Sequence, residues 1–153
     1  MPDIDSLIQQ LEKSGNVMFW QGKASLVSIE KLESLLGSRL PVSFKSFLLE
    51  YGGGGFDDAD AVICGIENDD PTLEHRGTVY GDTLLCREDY AMPKNLVVIY
   101  LGADDVVWCL DVDHFDGDEC PVVAFDAFSK ATKPLAPTFN DFLVEYLSLR
   151  ISA

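Results

Sequence analysis

Pairs of adjacent aspartates are the residues of this chain that could most directly do chemistry. Two neighbouring carboxylates can divide the roles of general acid and general base, or can share a divalent cation. The chain contains 26 acidic residues, however, so pairs arise by number alone. A metal-dependent or acid–base hydrolase is therefore kept only as a third alternative. The pairs are Asp57/Asp58, Asp69/Asp70 and Asp104/Asp105.

A cysteine nucleophile would need a histidine base beside it. The two histidines, His75 and His114, stand 39 residues apart, and Cys109 is the cysteine nearest to either in sequence. Cys109 lies in an apolar run that predicts a strand, where its thiol would face the core. No two cysteines have C-x-x-C spacing. We therefore expect no catalytic residue, no metal and no disulfide, and reduced thiols at Cys64, Cys86, Cys109 and Cys120.

Two loops superficially resemble ligand-binding motifs. The run Gly52–Gly55 is followed by Phe56 and two aspartates. A phosphate loop needs Lys and Ser or Thr there, and carboxylates would repel phosphate. The run favours helix termination and tight backbone passage instead. The acidic stretch 111–119 fails as a calcium loop, because its twelfth position is Val122 where a bidentate Glu is required. No cofactor is expected.

Negative charge is confined to the middle of the chain. The formal net charge is −15, yet residues 1–45 are neutral overall and residues 130–153 carry +1. Residues 46–129 hold 19 acidic and three basic side chains. Such a chain repels nucleic acid, and it speeds association with a basic protein.

Length and composition indicate one globular domain. The chain has 153 residues, of which 47% are apolar. No stretch approaches the ~20 apolar residues of a membrane span. The first residues are acidic where a secretion signal would be basic, so we expect a cytoplasmic protein.

The stretch 29–56 has the clearest structural signals. Apolar residues at helical spacing stop at Gly37, which suits a left-handed cap. A second helix is predicted to begin at Pro41, with an aromatic face that ends before the glycines. Further signals predict a first helix over 3–14 capped by Asp3, a helix capped by Ser25 or Ser28, and a last helix opened by Thr138-x-x-Asp141.

Strands are predicted between these helices. The segment 17–20 reads as an edge strand or an extended linker. Within 106–112, alternation predicts a buried face of Val106, Trp108 and Leu110. The order of elements predicts an α+β fold: a single domain over 1–153, with a largely antiparallel sheet of about five to six strands packed against N-terminal helices and a C-terminal helix. Helix 3–14 is considered as an extension. The strand candidates are 61–66, 78–86, 96–101, 106–112 and 121–127.

The order of several motifs resembles the SUKH superfamily. The likeness runs over residues 25–147, and the glycine run follows Tyr51 where the family often has Asn. The matching residues are Ile29, Leu32, Glu33, Leu36, Gly37, Leu40, Pro41, Phe44, Lys45, Phe47, Leu48, Gly52–Gly55, Ile63–Ile66, Met92–Ile99, Trp108–Asp111 and Thr138–Leu143.

That superfamily includes bacterial immunity proteins and fungal regulators of cell-wall synthesis. The resemblance implies a non-enzymatic protein-binding domain, with an immunity protein that neutralises a cognate toxin as the leading interpretation. A nuclease toxin would offer a basic cleft to an acidic surface. The alternative is a regulatory or scaffold module of the fungal type. Partners are expected to be basic proteins, not nucleic acids or membranes.

The residues expected to bind a partner follow from charge alone. Loops from alternate turns of an antiparallel sheet gather at the same edge, so several acidic clusters are expected to converge. Phe56 is expected to be moderately exposed and to serve as an aromatic anchor. The predicted partner-binding residues are Phe56, Asp57, Asp58, Asp60, Glu67, Asp69, Asp70, Asp104 and Asp105.

Overall fold

The computed structural model describes residues 3–151, in which helices precede and follow a set of antiparallel strands. The helices are α1 (Ile4–Lys13), α2 (Leu26–Leu36), α3 (Val42–Glu50), α4 (Val79–Asp89) and α5 (Phe139–Ser148). The strands are β1 (Met18–Trp20), β2 (Gly54–Phe56), β3 (Leu96–Leu101), β4 (Val107–Asp111), β5 (Val122–Phe125) and β6 (Thr132–Ala136).

Local signals in the sequence set most of the helix ends. Asp3, Ser25 and Thr138 each accept a hydrogen bond from a backbone N–H in the first turn of the helix that follows. Gly37 ends α2 with φ of 69°, the left-handed conformation expected there. Pro41 is extended, with ψ of 148°, so α3 begins one residue later than predicted.

The strands confirm the predicted α+β class. β3, β4, β5 and β6 form an antiparallel sheet in that order, and β1 pairs with β2. Ile63 joins the two groups through single antiparallel bridges to Gly54 and Tyr100. Strand β3 is therefore flanked on both edges and all six of its residues are buried, as its apolar run predicts. The segment 17–20 contains strand β1, so it forms a strand and not an extended linker.

Two predicted strands are wrong. Residues 79–86 belong to helix α4, and Thr78 caps that helix, because its hydroxyl accepts a hydrogen bond from the Gly81 N–H at 3.1 Å. A glycine inside a helix obscured the pattern; a Cβ at Gly81 would lie 2.6 Å from the carbonyl carbon of Glu74. Residues 61–66 are extended but form isolated bridges instead of a strand.

The glycine run allows two backbone segments to cross. A Cβ on Gly65 would lie 1.8 Å from the Gly52 carbonyl oxygen, so neither segment could approach if Gly65 carried a side chain. The Ile66 N–H donates to that same oxygen at 2.7 Å. The predicted tight backbone passage is confirmed. The run also contributes strand β2, which the sequence pattern did not indicate.

One hydrophobic core includes residues from the helices and the sheet. Leu7, Ile8 and Leu11 of α1 belong to it, and α1 packs against α5. The four cysteines are free, as predicted, and all four are buried, including Cys120, for which no core position was predicted. Trp108 is only half-buried, so the predicted buried face is correct for Leu110 alone. Within residues 3–151, no helix has both the length and the apolar character needed to cross a bilayer.

Candidate functional site

The acidic clusters lie at two different ends of the sheet. The extended segment 61–66 runs antiparallel to β3, so the residues before it and after it lie at opposite ends. Asp57, Asp58 and Asp60 come before this segment, and the other predicted acidic trio comes after it. The expected convergence is therefore correct for only part of the set. The trio at the far end is Glu67, Asp69 and Asp70.

Three loops meet at the near end. The Asp60 carboxylate accepts a hydrogen bond from the Ala103 N–H at 2.7 Å, which ties the 57–60 loop to the β3–β4 hairpin. Residue 107 at the start of β4 pairs with residue 125 at the end of β5, which places Asp126 at the same end. We call this the hairpin-end surface. Its acidic residues are Asp57, Asp58, Asp60, Asp104, Asp105 and Asp126, all exposed.

The hairpin holds two aspartates in an unfavourable backbone conformation. Asp104 and Asp105 have φ values of 58° and 60°. The Val106 N–H donates to the Ala103 carbonyl at 3.3 Å, which is the pattern of a type I′ turn. Glycine and asparagine suit these two positions best. Strained non-glycine residues of this kind cluster at functional sites, so the hairpin is a candidate site.

Two carboxylates at this end are not engaged by the fold. Within the part of the chain that the structure describes, the Asp57 and Asp104 carboxylates have no hydrogen-bond or ion-pair partner. Asp105 accepts a hydrogen bond from the Tyr90 hydroxyl at 3.1 Å, in an exposed position. Asp58 is ion-paired with Arg150 at 2.6 Å. The surface therefore offers free carboxylates together with one that is already neutralised.

Phe56 does not serve as an exposed anchor, and that prediction is wrong. Its side chain is 3% exposed, because Tyr146 packs at 5.3 Å between ring centroids and the Arg150 guanidinium covers the ring. Strand β2 directs Phe56 into the core between the glycine run and α5. The sequence indicated an aromatic residue beside charged ones, but not the helix that covers it.

At the far end, Asp69 stabilises helix α2. Its carboxylate accepts hydrogen bonds from the Ser25 N–H at 2.8 Å and the Ser25 hydroxyl at 3.1 Å. The hydrogen bond from the Ser25 N–H is the main cause that lowers the pKa of Asp69 below its ordinary value. Asp70 accepts similar bonds from Thr72, which lower its pKa. These carboxylates satisfy local backbone donors.

The loop 113–119 has a matching structural role at helix α3. Pro41 provides no side-chain cap, and Glu119 supplies one from across the chain. Its carboxylate accepts from the Ser43 N–H at 2.9 Å and from the Ser43 hydroxyl at 2.6 Å. A carboxylate at a helix N-terminus also interacts favourably with the helix dipole. Part of the acidic excess thus serves the fold.

A half-buried tryptophan lies beside the hairpin-end surface. Trp108 lines two neighbouring depressions of about 440 and 470 Å³. The second is also lined by Asp104, Asp105, Asp126 and Phe128, and the Phe128 side chain is 84% exposed. Alternation along the strand predicts Trp108 in the core, and the charge pattern does not single out Asp126 or Phe128. The one available signal was an aromatic residue in a polar turn.

The thiols are poorly placed for nucleophilic chemistry. Cys109 is fully buried with its Sγ 3.8 Å from the Met92 Sδ, and burial raises the pKa of its thiol. Burial also raises the pKa of Cys86 to about 12. His114 Nδ1 lies 2.9 Å from the Asp111 carboxylate instead of beside a sulfur atom. Within residues 3–151, no three metal-ligating side chains are grouped to hold a metal ion.

Nearly the whole chain matches a known protein family. A family model designated SUKH_5 and described as SMI1-KNR4 cell-wall matches residues 4–148. The match runs from the start of α1 to the end of α5, and it confirms the resemblance seen in the motifs from Ile29 to Leu143. The chain therefore belongs to the SUKH_5 family, the SMI1-KNR4 cell-wall group of the SUKH proteins.

Proposed function

We propose that this chain is a non-enzymatic, cytoplasmic protein-binding domain, and that its hairpin-end surface binds a basic protein partner. The leading form of the proposal is an immunity protein that neutralises a cognate toxin. The observation that carries it is the meeting of the 57–60 loop and the β3–β4 hairpin, where the carboxylates of Asp57 and Asp104 have no hydrogen-bond or ion-pair partner among residues 3–151. Family membership supports an immunity or regulatory domain in general.

The proposed mechanism is electrostatic masking. A nuclease binds phosphates in a basic cleft, and carboxylates held on a firm hairpin would occupy the positions of those phosphates. Steering by such a surface raises association rates by roughly 10–10³-fold at low salt. Asp58 contributes less, because Arg150 neutralises it. The strained turn at Asp104 and Asp105 favours a role at this site over mere solubility.

The test uses the protein encoded by the adjacent gene. Copurification with that protein is expected for the native chain and is expected to weaken at least tenfold in an Asp57→Asn/Asp104→Asn/Asp105→Asn variant. The matched control removes three exposed carboxylates from helices elsewhere, as Glu12→Gln/Glu30→Gln/Glu50→Gln. If both variants lost copurification equally, net charge alone would explain the effect, and the hairpin-end surface would have no specific role. No loss in either would refute the electrostatic proposal.

A regulatory module is the second candidate. The description of the matched family refers to the cell wall, which favours a role among housekeeping partners. In that case the adjacent gene product would not bind, while capture from a lysate of the source cells would recover partners through the same surface. A partner that is captured specifically should be lost with the Asp57→Asn/Asp104→Asn/Asp105→Asn variant, whereas nonspecifically captured proteins should remain.

A further inference from the structure

Two depressions that share Trp108 lie beside the hairpin-end surface. One depression is lined by Leu135 of β6, by Phe142 of α5 and by Leu149, the residue that follows α5. The other is lined by the β3–β4 hairpin and by Phe128 in the loop after β5. Trp108 belongs to both linings, so the two depressions adjoin at this residue. We call the pair the Trp108 groove.

The tryptophan is held in place before any partner arrives. Its ring stacks on Tyr100 with centroids 4.5 Å apart and an interplanar angle of 25°. Phe142 supports it edge-on at 5.6 Å. A rigid aromatic side chain loses little conformational entropy on binding, which is why tryptophan is common among the residues that contribute most to interfaces.

Exposed apolar side chains continue the groove at both ends. Phe128 is 84% exposed and Leu149 is 73% exposed. Large apolar side chains left open to water beside a concave apolar surface mark interaction sites more often than isolated ones do. The groove therefore presents apolar area at its floor and on both rims.

Carboxylates also stand at both ends. Glu145 lines the α5 side, and Asp104, Asp105 and Asp126 line the hairpin side. Lys133 is the opposing charge among these lining residues. The Asp126 carboxylate accepts from the Phe128 N–H at 2.8 Å, and this hydrogen bond fixes the turn that presents Phe128 and lowers the pKa of Asp126. The occupant must therefore be apolar and positively charged together.

We infer that the Trp108 groove binds a segment of a protein partner in which arginine alternates with large apolar side chains. An arginine guanidinium lies over Trp108, the residue that binds cations best through its ring, and flanking charges meet the carboxylates at the two ends. This inference rests on the proposed function and names the chemistry of the partner. An acidic or uncharged apolar segment would leave the groove carboxylates unpaired.

Nuclear magnetic resonance of the intact chain tests the inference directly. The chain has two tryptophans, so its indole N–H groups give two separate signals. A ten-residue peptide of alternating Arg and Leu is expected to shift the Trp108 signal strongly and leave that of Trp20 unchanged. An Arg–Ser peptide of equal charge should bind at least tenfold more weakly, and a Glu–Leu peptide should not bind. An Arg–Leu peptide that leaves Trp108 unshifted overturns the inference.

Two exposed substitutions confirm the location without disturbing the core. Phe128→Ser and Glu145→Gln are each expected to weaken binding of the Arg–Leu peptide by about tenfold. Val27→Ser and Glu30→Gln, exposed on α2, are the matched controls and should have no effect. If only Asp57→Asn weakened binding of the Arg–Leu peptide, the groove would be ruled out as the binding site. The proposed role of the acidic hairpin-end surface would still stand. A peptide that binds in the groove while the adjacent gene product does not copurify would contradict the immunity role alone.

Discussion

The guanidinium of Arg150 lies 4.1 Å from the centroid of the Phe56 ring. The same group is ion-paired with Asp58 at 2.6 Å, so one cation covers an aromatic ring and neutralises a surface carboxylate. This relationship connects the segment that follows α5 to β2 and to the hairpin-end surface. It explains why the aromatic residue next to the aspartates is not available to a partner.

Replacing Arg150 should separate these effects. Arg150→Gln is expected to lower the free energy of unfolding by about 1 kcal/mol, because the cation–π contact and the ion pair are both lost. It should also increase the association rate with a basic partner, since Asp58 is released. Urea denaturation and stopped-flow association measure the two quantities.

The control is Arg39→Gln, because Arg39 lies over Phe115 at 5.1 Å and makes no ion pair within residues 3–151. That variant should lose less stability. An Arg150→Gln variant with unchanged stability and unchanged association would contradict the role assigned to this side chain.

The strained hairpin predicts that removing the strain at residue 105 will stabilise the folded protein. Asp105→Gly should raise the free energy of unfolding by about 1 kcal/mol, because glycine adopts positive φ without a Cβ clash. Asp105→Ala keeps the strain and should not stabilise the protein. Both variants lose the hydrogen bond from Tyr90, so their difference isolates the backbone term. Comparable stability in the two would show that the turn carries no strain.

Acid titration should reveal the cap at α2. The pKa of Asp69 is lowered in the folded chain, chiefly by the Ser25 N–H, so its stabilising effect is complete above its unfolded pKa. That effect is lost as pH falls from about 5 through the folded pKa. At pH 7 the native chain should therefore have a higher free energy of unfolding than the Asp69→Asn variant. The difference between the two free energies should become smaller toward pH 3. A gap that stayed constant over this range would rule out the carboxylate as its source.

The crossing at Gly65 should tolerate no side chain. Gly65→Ala is expected to lower the free energy of unfolding by about 3 kcal/mol, since its Cβ would meet backbone atoms of Gly52 that cannot rotate away. Gly37→Ala is the comparison. It has no heavy atom within 4 Å of the added Cβ and should cost only about 1 kcal/mol for its positive φ. Equal costs at the two sites, measured by thermal and urea denaturation, would contradict the packing argument.

Local signals explain where prediction from sequence succeeded. Asp3, Ser25, Gly37 and Thr138 act within a few residues of their own positions, so the chain near them specifies the helix ends. The apolar run of β3 likewise implies burial on both faces. Helix α4 was missed because Gly81 is required by a close approach to residue 74, which no local pattern reveals.

The candidate site depended on relationships that are remote in sequence. The charge pattern predicts Asp57, Asp60 and Asp104 as surface residues of the candidate site. Antiparallel topology correctly predicts that some of the loops meet. It could not show that Asp69 bonds to the N-cap residue of α2 and Glu119 to the first turn of α3, because their partners lie 44 and 76 residues away. Acidic residues that cap helices and those that face solvent look the same in a sequence.

The association rate between this chain and the protein encoded beside it, measured against salt concentration, tests the central claim most directly. For the native chain the rate should fall steeply as salt rises from 20 to 500 mM, because exposed charges are screened. The Asp57→Asn/Asp104→Asn/Asp105→Asn variant should associate roughly tenfold more slowly at low salt and lose most of that dependence. A variant with native rate and native salt dependence would contradict the hairpin-end surface as the binding site.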